Sequence, residues 1–133
     1  MTETSSSIYR EIPRLGNKVV HRLGLACNYG IDGDGARAGL ERGMNYIFWT
    51  PFRTGAVTPV VKEALQKDRE KYVVATGPMV GYFGGSLRRA TENALRVLNT
   101  DYIDVLQLFW LGVGSAETEG TVSELLKLKE EGK

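Results

Sequence analysis

The stretch "NTDYIDVLQLFWLG", residues 99–112, sets a polar lead (Asn99, Thr100, Asp101) against a run of β-branched, aliphatic and aromatic residues. Such a run predicts a strand over 102–110. Just before it, "SLRRATENALRVLN" (86–99) places Leu87, Ala90, Ala94, Leu95 and Leu98 on one helical face. A helix feeding directly into a buried strand is half of a βαβ unit, so the search for its partners runs back along the chain.

The pairing recurs. "KVVHRLGLA" (18–26) has strand character, with "LGN" before it as a tight turn. "DGDGARAGLERG" (32–43) reads as a short helix, with Asp34 placed to cap it and Gly43 where a left-handed terminal residue belongs. "MNYIFWT" (44–50) suits a buried strand. "TPVVKEALQKDREK" (58–71) is the clearest helix: Thr58 reads as its N-cap, Pro59 as its first position, and Val61, Ala64 and Leu65 as its apolar face. "YVVAT" (72–76) is the next strand, and "TVSELLKLKEEGK" (121–133) a fourth helix ending at Gly132. Four successive strand–helix pairs imply an α/β fold with parallel strands, either an open doubly wound sheet or part of a (β/α)8 barrel.

Bulk composition narrows the function classes. The 133 residues are 42% apolar and 25% charged, with 17 basic against 16 acidic side chains. That balance gives no support to a nucleic-acid partner or an anionic membrane surface. One cysteine, Cys27, excludes an intrachain disulfide and any multi-cysteine metal site, and one histidine, His21, leaves no material for a histidine-rich site. No run approaches the roughly 18 apolar residues of a spanning helix, and "MTETSSSIYRE" is not a secretory signal. The expectation is a cytoplasmic chain with a flexible tail over 1–11 and one domain over 12–133.

With these residues in view, the chain resembles the N-terminal half of an aldo-keto reductase. "RLGNKVVHRLGLACNYG" resembles that family's opening hairpin and first barrel strand, "ERGMNYIFWTP" its second, and "YVVATG" its third. "LRVLNTDYIDVLQLFW" resembles the helix-to-strand segment ending His-Trp, and "LLKLKEEGK" the helix before the fifth strand. The resemblance implies a parallel (β/α) TIM-barrel-type half-barrel of about four β/α units behind a short N-terminal hairpin. It also implies descent from NADPH-dependent reductases of small aldehydes and ketones.

The family works with an aspartate, a tyrosine, a lysine and a histidine. By resemblance these fall on Phe48, Arg53, Gly77 and Phe109. Phenylalanine and glycine hold no transferable proton, and arginine stays protonated, so the tyrosine-centred mechanism has no carrier here. The resemblance therefore implies no catalytic residue of the usual kind. Its strand-one contribution to NADPH binding falls on Ala26 and Cys27, where the usual Gly-Thr is missing. The family's contacts to the pyrophosphate and adenosine come mostly from its second half, and a family barrel needs about 250 residues.

The remaining candidates each have two readings. Phe48, Trp49, Phe109 and Trp110 form either an aromatic mouth for a planar ligand or apolar filling. Trp49, Arg53 and Trp110 are the ligand-mouth candidates, Arg53 being either an anion holder or a solvated loop residue. Cys27 reads as a small buried residue, and His21 as structural. Asp32 and Asp34 read as loop and cap rather than a cation site, and no metal is expected. Tyr29 and Tyr82 lie in loops on the strand-end side, and Asp104 sits where barrel residues serve stability. Four strands leave two apolar edges, which point to self-association, as two halves closing a barrel. Three functions follow: a catalytically degenerate or truncated reductase relative (a pseudoenzyme), an oxidoreductase working through other residues or a missing C-terminal half, or a non-catalytic binding or scaffold module.

Overall fold

The computed structural model describes residues 9–11, 15–16, 18–78, 86–109 and 119–133. Among the described residues the strands and α-helices follow in order: β1 (Tyr9–Glu11), β2 (Val19–His21), β3 (Leu25–Ala26), α1 (Gly33–Glu41), β4 (Tyr46–Phe48), α2 (Thr58–Lys67), β5 (Val73–Thr76), α3 (Ser86–Leu98), β6 (Val105–Leu106) and α4 (Glu119–Glu130). β1 and β2 form an antiparallel pair, Tyr9 opposite His21. The other four make one parallel sheet in the order β3-β4-β5-β6.

That order decides the question left open by pattern. A doubly wound sheet reverses its strand order; this one does not, and consecutive helices touch one another along the sheet. Leu25, Cys27, Ile47, Trp49 and Val74 join one apolar cluster with Ala36, Leu40, Val61, Leu65, Ala94 and Leu98 of the helices. Side chains alternate across a strand, so Ala26 and Phe48 face the opposite, inner side. The arrangement is an arc of a (β/α) barrel, about half of one, preceded by a hairpin.

Several local expectations change. The span 18–26 divides into β2 and β3, because Leu23 N–H bonds back to His21 Nδ1 (3.1 Å) and bends the chain between them. The side chain of Asn45 then fastens the hairpin to the sheet: its Oδ1 accepts from His21 N (2.8 Å), and its Nδ2 donates to the carbonyls of Val19 (2.6 Å) and Lys71 (3.0 Å). The last three residues assigned to the tail, Tyr9–Glu11, form strand β1. Asp32, not Asp34, caps α1, its Oδ1 taking Gly35 N–H at 2.8 Å; Asp34 already lies in the first turn. Gly43 follows with φ +96°, as a helix end requires.

Thr58 is likewise no cap. Val57 precedes α2 without a side-chain bond, and Thr58 donates instead to Thr54 O at 2.7 Å. Helix α2 stops at Lys67, where Asp68 turns the chain into a 3-10 segment, Arg69–Lys71, and caps it through Lys71 N–H. β6 starts later than the apolar run predicts, because the Asp104 carboxylate, rather than a carbonyl, takes Val74 N–H (2.8 Å). At the far end Arg88 of α3 grips Glu124 and Glu131, and Lys133 pairs with Glu92 and Glu131. These exposed pairs orient α4 more than they stabilise it. No helix among the described residues is long and apolar enough to cross a membrane.

Candidate functional site

In a barrel of this type the strands' C-terminal ends carry any site, and here they bring three of the sequence-derived positions together. Phe48 ends β4, Gly77 follows β5 and Phe109 lies beyond β6. The Phe48 and Phe109 rings meet edge to face, 5.4 Å between centroids at 81°, the arrangement the ring quadrupole favours. Gly77 lies against the same ring. A Cβ built there would stand 2.9 Å from Phe109 Cε2 and would run into the Gln107 carbonyl oxygen. Glycine is present because β6 leaves room for nothing larger; Gln107 N–H bonds Thr76 O at 2.8 Å and fixes that approach.

The other candidates separate. Trp49 faces the helices, 1% exposed, with its indole N–H donated to Thr58 Oγ1 at 3.0 Å. It is therefore a core residue and not part of the mouth, a correction that strand alternation explains: Phe48 and Trp49 are neighbours in sequence on opposite sides of the sheet. Trp110 and Tyr82 lie outside the described residues. Arg53 sits on the loop after β4 with φ +55°, exposed, its guanidinium 4.9 Å from the centre of the Phe52 ring. That geometry is a surface cation–π contact with the charge left in water.

Ala26 and Cys27 also part company. Ala26 pairs in register with Phe48 and is exposed on the inner side. Cys27 is fully buried among the helix-facing residues, and burial pushes its thiol up to about 12. A thiol that keeps its proton at neutral pH in an apolar shell is no nucleophile. Tyr29 stands 79% exposed.

Two polar groups that the sequence reading did not single out do belong to this end. Asn28 Oδ1 and Thr50 Oγ1 are buried without a hydrogen-bond partner among the described residues. Nothing in the sequence marks them, since a missing partner is visible only in three dimensions.

The opposite end of the sheet is charged and fully engaged. The Asp104 carboxylate binds Lys18 Nζ (2.7 Å), Arg69 Nη2 (2.7 Å) and Val74 N–H (2.8 Å). Arg69 lies over the Tyr102 ring at 3.8 Å. The Tyr102 hydroxyl accepts from Lys18 (3.0 Å) and donates to Glu70 (2.6 Å). Burial, and next the bond to Glu70, raise the Tyr102 pKa, so its proton stays in place. This is a structural clamp where the barrel carries its stability residues, as expected of Asp104.

No family model matches the chain. Over 99 residues it is 38% identical to methylglyoxal reductase YeaE of Escherichia coli (strain K12), a match spanning 73% of this chain and 34% of that protein. An aldo/keto reductase from Klebsiella pneumoniae, solved in complex with NADP and acetate, superposes with a TM-score of 0.70 at 28% identity, covering 92% of this chain and 46% of that one. The aldo-keto reductase AKR11C1 from Bacillus halodurans gives the same TM-score at 28% identity, over 93% of this chain and 45% of its own. The chain thus spans about a third of the curated relative and under half of the solved structures. On sequence, strand order and superposition together, it belongs to the aldo-keto reductase family, of whose barrel it makes about half.

Proposed function

We propose that this chain keeps the reductase framework but not the reductase chemistry, and that its strand ends bind a planar apolar molecule against Phe48 and Phe109. The observation that carries the reading is the closure of Phe48, Gly77 and Phe109 on one another. The family's aspartate, lysine and histidine match these positions by resemblance, and none of the three residues here can give or take a proton. The Gln107 carbonyl also denies the Gly77 position any side chain.

The residues gathered there offer no proton donor to a carbonyl that a nicotinamide would reduce. By resemblance the pyrophosphate is held mostly by the family's second half, and the two rings here supply no cation to it. Arg53, the charged side chain on the adjoining loop, rests on Phe52 in solvent.

The test uses the substrate named for the relative. With the purified chain, methylglyoxal should leave NADPH consumption at the protein-free rate, while toluene should give a saturable heat by calorimetry. Methylglyoxal-dependent consumption above that rate would overturn the reading, and so would the absence of toluene binding.

A second reading concerns the working unit. Ile103 N–H, just ahead of β6, bonds Lys133 O at 2.7 Å, so this edge already takes a main-chain partner from the segment after α4. We infer that the β3 and β6 edges close against further strands, supplied by a second copy of this chain when it is alone in solution. Two such halves have the eight strands of a complete barrel. Light scattering at micromolar concentration should give a dimer mass; a stable monomer would remove this second reading.

A further inference from the structure

Resting on the ligand-binding reading above, we propose that Asn28 and Thr50 form the polar end of the same site, selecting a neutral planar molecule that carries a hydroxyl or amide N–H. The last registered pair of β3 and β4 is Ala26–Phe48, and Asn28 and Thr50 each follow it by two residues, past the C-terminal ends of the two strands. Asn28 lies in the turn after β3 and Thr50 in the segment after β4, both just past the Ala26–Phe48 pair. Thr50 is fully buried, yet its hydroxyl meets no partner among the described residues, and neither does Asn28 Oδ1.

The neighbouring hydroxyls make these two stand out. Thr54 Oγ1 donates to Thr50 O (2.8 Å), Thr58 Oγ1 donates to Thr54 O (2.7 Å), and the Trp49 indole donates to Thr58 Oγ1 (3.0 Å). Every link in that ladder is satisfied except the Thr50 hydroxyl at its head. A buried polar atom left unpaired is costly, and a ligand that donates to Asn28 Oδ1 and pairs with the Thr50 hydroxyl would remove that cost.

The chemistry of the four groups defines that ligand. Asn28 Oδ1 only accepts, so the ligand must donate to it, while the Thr50 hydroxyl can donate or accept. Phe48 and Phe109 offer ring surface. All four side chains are uncharged, so an ionised ligand would lose its hydration with nothing to replace it. A small aromatic alcohol or amide satisfies each condition.

Benzyl alcohol and toluene, titrated into the full chain by calorimetry, test this directly. Thr50→Val keeps the side chain's shape and removes the hydroxyl. It should weaken benzyl alcohol about fivefold or more, the loss expected for one hydrogen bond, and leave toluene unchanged. Thr50→Ser retains the hydroxyl and should retain the benzyl alcohol affinity. If toluene binds but Thr50→Val weakens both probes alike, or neither, Thr50 is structural and this inference falls while the binding reading stands. If neither probe binds the parent chain, both fall. Should Thr50→Val fail to fold, loss of benzyl alcohol binding in a folded Asn28→Leu variant, with toluene retained, gives the same support, and equal effects on both probes overturn it.

Discussion

Replacing Gly77 by alanine should lower the melting temperature by on the order of 10 °C, and Gly77→Lys should leave little folded protein. The cause is space, not backbone conformation. The first side-chain atom at this position would collide with the Gln107 carbonyl and press on Phe109 Cε2 at 2.9 Å. The obstructing oxygen belongs to a main chain held to β5 by Gln107 N–H···O Thr76 (2.8 Å), so it cannot swing aside as a side chain would. Overpacking a core costs about 1–3 kcal/mol when side chains can give way, and more when backbone must move. Thermal melts of Gly77→Ala beside Gly55→Ala make the comparison, since a Cβ at Gly55 meets nothing within 4 Å. A Gly77→Ala protein as stable as its Gly55→Ala control would show that β6 yields easily.

The same collision bears on attempts to rebuild a reductase. Writing aspartate at Phe48 and histidine at Phe109 changes side chains in a half-buried pair, which a barrel can absorb. A lysine at Gly77 cannot be added without separating β5 from β6. The quadruple variant Phe48→Asp, Arg53→Tyr, Gly77→Lys, Phe109→His is accordingly expected to show no NADPH consumption with methylglyoxal. The departure from family chemistry is built into the backbone spacing as well as the side chains.

How far the sequence could be read depended on which interactions are local. Helix faces and apolar strand runs repeat with their own periods, so the order of strands and helices was legible, and Gly43 marked its helix end correctly. Ends governed by a single side chain were less so. Asp32 and Asp34 are equally good caps on paper, and only the bond to Gly35 N–H chooses between them. Thr58 looked like a cap because threonine before proline usually is one; here its hydroxyl is committed to Thr54 and Trp49. Phe48 and Trp49 read in sequence as one aromatic feature, although period-two alternation assigns them to opposite sides. Among the site positions, Phe48, Gly77 and Phe109 were found through resemblance, and their convergence is a matter of register between strands far apart in sequence. Asn28 and Thr50 could not be found at all, because an unpaired atom has no sequence signal.

Asp104→Ala should destabilise the chain by about 3–5 kcal/mol, a large share of the 5–15 kcal/mol typical of a domain. Its side chain is 5% exposed, and Lys18 and Arg69 are 9% and 15% exposed, so three groups of the clamp are nearly dry. Alanine would leave both cations without their anion and Val74 N–H without an acceptor. The remaining bonds only partly compensate. Lys18 would keep Tyr72 O (3.0 Å) and the Tyr102 hydroxyl, while Arg69 would keep Thr100 Oγ1 (2.7 Å) and the carbonyls of Tyr72 and Tyr102 (2.8 Å each). None of these carries negative charge, and Glu70 reaches the cluster only through Tyr102. Urea unfolding of Asp104→Ala, Lys18→Met and the double variant separates lost attraction from stranded charge. The double variant should be less destabilised than the sum of the two singles, because removing Lys18 relieves part of the uncompensated charge. The loss should also persist at high salt, since a pair shielded from water is little screened. A cost below about 1 kcal/mol, or one erased by salt, would mean that this end of the sheet is solvated and that the clamp contributes no more than a surface ion pair.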